Sequence, residues 1–179
     1  MVADSVVSGG NESSRQLGLQ VVAVEDVNGD GFEDVVVTGA DEVRLFYGSA
    51  DGVSLEHSLE LAIPHDESEE DHDMVVVLAG AGDVNQDGFD DLLVGLPGED
   101  VQVIDEVGEG IETLASAGIV QLHLGSEDDG VEAPAWIMTG DVVGAFFGSS
   151  VSAAGDLNGD GYGDVLVGAP GEGNGMQGR

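Results

Sequence analysis

With 179 residues and a hydrophobic share of 41%, the chain is long enough for one domain with a sizeable core and too apolar to be wholly disordered. Against 37 acidic residues it carries three arginines (Arg15, Arg44, Arg179) and no lysine, a formal net charge of −34, which argues against nucleic acid and anionic membrane as partners because both need basic patches. It has no cysteine to form a disulfide and no apolar run of roughly 18 residues to insert in a membrane.

Residues 1–16 are polar and rich in Gly and Ser. They lack the basic and apolar regions of a signal peptide and read as a linker or an edge strand, so a leader for a secreted parent is expected outside this sequence. Residues 17–24 and 34–38 are β-like apolar runs on either side of an acidic turn, which predicts a hairpin. A third strand is predicted at 43–47 (VRLFY), closed by Gly48-Ser49. After a turn at Gly52-Val53 a weaker fourth strand falls near 58–63.

The plan then returns. Residues 74–81 lead into a second acidic turn and 91–95 lead out; 119–124 (IVQLHL) with Gly125-Ser126 form the third strand and 135–139 the fourth. A third unit opens at 147–154, passes another acidic turn and continues through 164–168 before GAPGEGNGMQGR. The turns begin at Asp26, Asp83 and Asp156, spaced by 57 and 73 residues, while the Gly-Ser marker follows its turn's first Asp by 22 residues in unit one and 42 in unit two. Unit two therefore carries an insertion at 96–116.

Small antiparallel sheets repeated at this period cannot bury their faces alone. Radial packing of four-stranded blades into a β-propeller is the usual solution. The expected fold is thus all-β, a partial β-propeller, with blade 1 over 17–72, blade 2 over 73–145 and the first half of blade 3 over 146–179.

Each acidic turn reads D-x-N-x-D-G-aromatic-x-D: DVNGDGFED at 26–34, DVNQDGFDD at 83–91 and DLNGDGYGD at 156–164. Hard oxygen side chains stand at positions 1, 3, 5 and 9: Asp26, Asn28, Asp30 and Asp34; Asp83, Asn85, Asp87 and Asp91; Asp156, Asn158, Asp160 and Asp164. The backbone carbonyl at position 7 (Phe32, Phe89, Tyr162) adds a further oxygen. A cage of carboxylate, amide and carbonyl oxygens is what Ca2+ prefers, and three Ca2+ sites are expected. The glycines at position 6 (Gly31, Gly88, Gly161) supply the sharp turn. An EF-hand is excluded, because it needs a bidentate Glu at position 12 and flanking helices. Position 12 here is Val37, Val94 or Val167, inside a β-like run. Three bound Ca2+ would still leave most of the −34 charge, so the rest suits either high salt, which screens self-repulsion, or cation-rich extracellular water.

At Phe147-Gly148-Ser149-Ser150-Val151, the metal loop, and then Val167-Gly168-Ala169-Pro170, the sequence resembles the FG-GAP repeat family, the repeats of the integrin α-subunit β-propeller and its bacterial relatives. Unit one departs from it with Leu17-Gly18 and Thr38-Gly39-Ala40, and unit two with Met74-Val75 and Gly95-Leu96-Pro97; every expected metal ligand stays in place. The resemblance implies seven blades, calcium loops between first and second strands, and a role in adhesion or ligand binding at the cell surface or outside the cell. Two and a half blades cannot close a ring, so the remaining blades of a parent chain are expected partners. A protein or glycan ligand is expected on the face opposite the loops, where the insertion and the connections 64–73 and 140–144 fall. The alternatives are a non-catalytic propeller attached to a secreted hydrolase, or a spacer in a large surface protein. The four histidines (His57, His65, His72, His123) have no nucleophile or second histidine at catalytic spacing, so no enzyme activity is expected.

Overall fold

A computed structural model describes residues 17–39, 42–54, 58–61, 75–104, 110–127, 131 and 133–172. The expected linker at 1–16, the connection at 64–73, three of the histidines (His57, His65, His72) and the residues after 172 lie outside them.

Among the described residues the regular structure is β-strand. The first four-stranded sheet is a simple meander of β1 (Gln20–Glu25), β2 (Asp34–Thr38), β3 (Val43–Phe46) and β4 (Ser58–Leu61). The second joins β5 (Val77–Gly82), β6 (Asp91–Leu96), β9 (Ile119–His123) and β10 (Trp136–Thr139), in the order β5-β6-β9-β10. The third holds β11 (Ser150–Gly155) and β12 (Asp164–Gly168). All neighbours pair antiparallel. Among the described residues no helix is long and apolar enough to cross a membrane.

The insertion is more ordered than its composition suggests. Val101–Ile104 (β7) and Ile111–Leu114 (β8) pair as a separate two-stranded hairpin between β6 and β9, at the end of β6 remote from the acidic turn. Its alternating VQVI and IETL runs were the signal, masked by the acidic residues around them.

Blade 2 sits between the other two, and its burial shows it. Every residue of β6 is buried, as expected for a strand covered on both faces. Leu92, Val94 and Leu96 pack with Val24, Val36, Val43 and Leu45 of blade 1. Leu93 and Val120 of blade 2 face the other way, onto Phe147, Val151, Val165 and Val167 of blade 3. β12 has the equivalent sequence but is only partly covered.

The three turn-bearing hairpins share one irregularity: the register slips between Ala23 and Glu25, Gly80 and Gly82, and Ala153 and Gly155. The bulge residue is left-handed in each, with φ of 62° at Glu25, 68° at Gly82 and 64° at Gly155. Glycine adopts this conformation freely; glutamate pays a steric penalty for it.

Blades 2 and 3 approach closely at a pair of glycines. A Cβ on Gly95 would overlap the Gly148 carbonyl of blade 3, and Gly148 has φ +91°. Gly95→Ala is therefore expected to wedge blades 2 and 3 apart and destabilise the protein by about 1–3 kcal/mol. Urea unfolding against a Gly98→Ala control, where nothing lies within 4 Å of the added carbon, checks it.

Candidate metal loops

The sequence places four oxygen side chains in each turn, and the fold turns them back onto backbone amides. In the first loop the Asp30 N–H donates to both Asp26 Oδ1 (3.0 Å) and Asn28 Oδ1 (3.1 Å), so those two oxygens converge on one amide. The Gly31 N–H donates to Asp26 Oδ2 at 2.8 Å, the Phe32 N–H to Asp30 Oδ1 at 2.9 Å, and Asn28 Nδ2 to Asp30 Oδ2 at 3.1 Å. Short polar side chains folding back on nearby amides are how Asp and Asn stabilise tight turns.

The second and third loops repeat the pattern bond for bond. Asp87 N–H reaches Asp83 Oδ1 (3.1 Å) and Asn85 Oδ1 (3.0 Å), and Asp160 N–H reaches Asp156 Oδ1 (3.1 Å) and Asn158 Oδ1 (2.8 Å). The Gly88 and Gly161 amides donate to Asp83 Oδ2 and Asp156 Oδ2, both at 2.9 Å. The aromatic residues at position 7 point differently: Phe32 and Tyr162 are exposed, whereas the Phe89 ring lies where a Cβ on Gly29 of the first loop would be.

Position 9 has a second task, which the motif alone did not reveal. Asp34 and Asp91 are fully buried. Asp34 Oδ2 accepts the Val27 N–H (3.0 Å) and Oδ1 the Gly48 N–H (2.7 Å); Asp91 does the same with Val84 (2.8 Å) and Gly125 (2.9 Å). Gly48 and Gly125 are the Gly of the Gly-Ser marker, and neither has room for a Cβ beside the loop backbone. Each carboxylate thus ties the start of its loop to the end of the third strand. Among the described residues Asp164 accepts only the Leu157 N–H (2.8 Å), and it is partly exposed.

The electrostatics are one-sided. Burial pushes the Asp34 carboxyl above the usual range; the Gly48 and Val27 amides pull it back, and the Asp30 and Asp26 charges push it further up. Asp91 is raised by burial in the same way, with Gly125 and Val84 opposing and Asp87 and Asp83 adding. Glu25 is raised first by a hydrogen bond to the Asp90 side chain, then by the Asp90 charge, burial and the Glu33 charge. Arg44, paired with Glu42 at 2.8 Å, lies in β3 and not in these loops.

Among the described residues no three His, Cys, Asp or Glu side chains stand close enough together to hold a metal ion as they lie, since the loop carboxylates are spread over backbone amides. The donor chemistry nevertheless fits a hard divalent cation: all oxygen, no imidazole, no thiolate. His123 is fully buried in β9, with Nε2 3.2 Å from Gln121 Oε1.

The FG-GAP repeat model matches residues 76–123 and 147–179, and the FG-GAP-like repeat model matches 26–94. The chain is similar to integrin alpha-5 of Xenopus laevis, 33% identical over 159 residues, 88% of this chain and 14% of that protein. It is also similar to integrin alpha pat-2 of Caenorhabditis briggsae, 30% identical over 172 residues, 95% of this chain and 14% of the relative. A shorter similarity, 39% over 97 residues, links it to integrin alpha-8 of Gallus gallus, covering 54% of this chain and 9% of that protein. The chain spans about a seventh of the length of the first two relatives.

Replacing Asp91 by Ala strands two amides, one of them on the buried Gly125, and is expected to destabilise the protein by about 1–3 kcal/mol even in chelator. Asp164→Ala removes one exposed bond and is expected to cost well under half as much. Thermal melts of both variants in excess chelator check the order.

Proposed function

The chain belongs to the FG-GAP repeat family, and from that premise we propose that it is a calcium-stapled segment of a propeller-like adhesion or ligand-binding module, working at the cell surface or outside the cell. The observation that carries this is the threefold recurrence of one oxygen set with one hydrogen-bond pattern. Repetition at every blade is what a structural ion needs. The ligands are Asp26, Asn28, Asp30, the Phe32 carbonyl and Asp34, with Asp83, Asn85, Asp87, Phe89 and Asp91, and Asp156, Asn158, Asp160, Tyr162 and Asp164, in the second and third loops. A bound Ca2+ supplies the positive charge that these carboxylates lack. The chain's own part is to hold the oxygens on a rigid hairpin turn. The calcium is structural, and the segment has no catalytic role.

The remaining blades of the parent complete the array. On blade 3, Leu157, Tyr162 and Leu166 are exposed at positions equivalent to Val84, Phe89 and Leu93 of blade 2, which suits a further sheet packing there. A protein or glycan ligand binds the opposite face from the loops. There the β7–β8 hairpin presents Ile104 and Ile111 as a cross-strand pair, 75% and 74% exposed, and long insertions on a rigid scaffold are where recognition concentrates.

Chelation is expected to lower the melting temperature and millimolar calcium to restore it. With affinities of ~10⁻⁴–10⁻³ M, as in extracellular modules, calcium at tenfold its dissociation constant adds about 1.4 kcal/mol per filled site. A melt at low ionic strength that ignores both chelator and calcium sinks the calcium proposal. For the ligand face, Ile104→Ser with Ile111→Ser is expected to leave the melt within about 0.5 kcal/mol of wild type and to abolish binding in a screen of matrix proteins and glycans. Binding that survives the double substitution would move the ligand elsewhere.

A further inference from the structure

The three loops are not independent units, and the junctions between them differ. Between the first and second loops Asp26 and Asp90 lock reciprocally. The Asp90 N–H donates to the Asp26 carbonyl (3.1 Å), and the Asp26 N–H donates to Asp90 Oδ2 (3.1 Å). Alongside, the Ser126 N–H donates to the Val27 carbonyl (3.0 Å), and the Phe89 ring covers Gly29.

Asp90 occupies position 8 of its loop, between Phe89 and Asp91, the position-7 and position-9 donors of the second loop. Asp26 is the position-1 donor of the first. One side chain therefore links the ends of two oxygen sets. The equivalent residue in the third loop is Gly163, which has no side chain to offer and lies against Val84. That junction instead uses the Gln86 side-chain amide, which donates to the Gly161 carbonyl. The Asp90 link is thus particular to the first pair of loops.

We infer that cation binding at the first two loops is positively coupled, and that Asp90 is the positioning residue that transmits the coupling. The inference rests on the calcium proposal above. The physical route is short. A cation that draws in the Phe89 carbonyl and Asp91 fixes the backbone of Asp90 between them. Its carboxylate then holds the Asp26 backbone, so the first loop loses less freedom when its own cation binds. A site ordered in advance binds more tightly, and the effect is reciprocal.

Simple charge neutralisation would also couple adjacent acidic loops, so the test is run in 1 M NaCl, where the Debye length is about 3 Å. The Gly31 and Gly88 amides donate to the position-1 carboxylates of their own loops, so their resonances in 1H–15N spectra report each loop separately during a Ca2+ titration of the whole chain. Disabling the second loop with Asp87→Ala is expected to raise the calcium midpoint at Gly31 threefold or more. The same shift is expected in an Asp90→Asn background, where a side-chain oxygen can still accept the Asp26 N–H. It is expected to vanish in Asp90→Ala. A Gly31 midpoint that ignores Asp87→Ala while Asp90 is present, or a shift that persists in Asp90→Ala, overturns the coupling and leaves the calcium sites standing. If neither glycine amide responds to calcium, the calcium proposal fails and the coupling falls with it.

Discussion

The fold depends on a buried carboxylate that closes a three-strand knot. Asp34 and Asp91 each accept one amide from the second residue of an acidic loop and one from the glycine after the third strand. Charge-assisted bonds of this kind are roughly twice as strong as neutral ones, and losing one would leave a buried amide unsatisfied. Yet the same carboxylates are removed from water and face other carboxylates. Locally the arrangement is favourable, while its surroundings work against it. A divalent cation at the proposed site would offset that opposition, a reason for the oxygen set and the knot to share a residue.

The family's glycines have a similar explanation in contact distances. Gly95 closes β6 on blade 2 and Gly148 precedes β11 on blade 3, and each occupies space a side chain on the other would need. Within blade 3 the Gly148 N–H donates to the Gly168 carbonyl (3.0 Å), as the Gly18 N–H donates to Thr38 in blade 1 (2.8 Å). One glycine position thus serves both the closure of its own sheet and the seating of the next. By position, the corresponding pair at the junction of blades 1 and 2 is Thr38 and Val75. Neither of these is a glycine.

The repeat made most of this legible in advance. The first and second strands of each unit follow from the acidic motif and its flanking apolar runs, and the order β1-β2-β3-β4 follows from short connections. The starts of the first strands were harder to place. Residues 17–19 and 147–149 are as apolar or glycine-rich as the strands themselves, but the Gly18 and Leu19 amides share one carbonyl of Thr38 and Phe147 packs on blade 2, so β1 begins at Gln20 and β11 at Ser150. The oxygen donors were visible because side-chain type and spacing define them. What was hidden is their backbone partners: Gly48 and Gly125 appeared only as a marker at variable distance, since the insertion changes sequence separation and not position in the fold. Asp90, in a loop already crowded with aspartates, carried no separate signal at all.

The contrast between Leu93 and Leu166 shows where the stability of such an array resides. They occupy the same position in consecutive blades, in strands of nearly the same sequence, yet Leu93 is fully buried and Leu166 is 57% exposed. The difference comes from the sheet packed on one side of Leu93. Burying a leucine side chain contributes about 1.5–3 kcal/mol, and Val84 and Leu157 repeat the contrast. In a repeat array most stabilisation is therefore shared between neighbours, and an outer blade is the weakest unit. The proposed calcium would act at a different level. It would strengthen a hairpin from within, whether or not that hairpin has a neighbour, and so would matter most where packing contributes least. On that argument the proposed ion would matter more at the third loop, where among the described residues Asp164 is partly exposed and bonded only to Leu157, than at the two loops whose position-9 carboxylates are held from both sides.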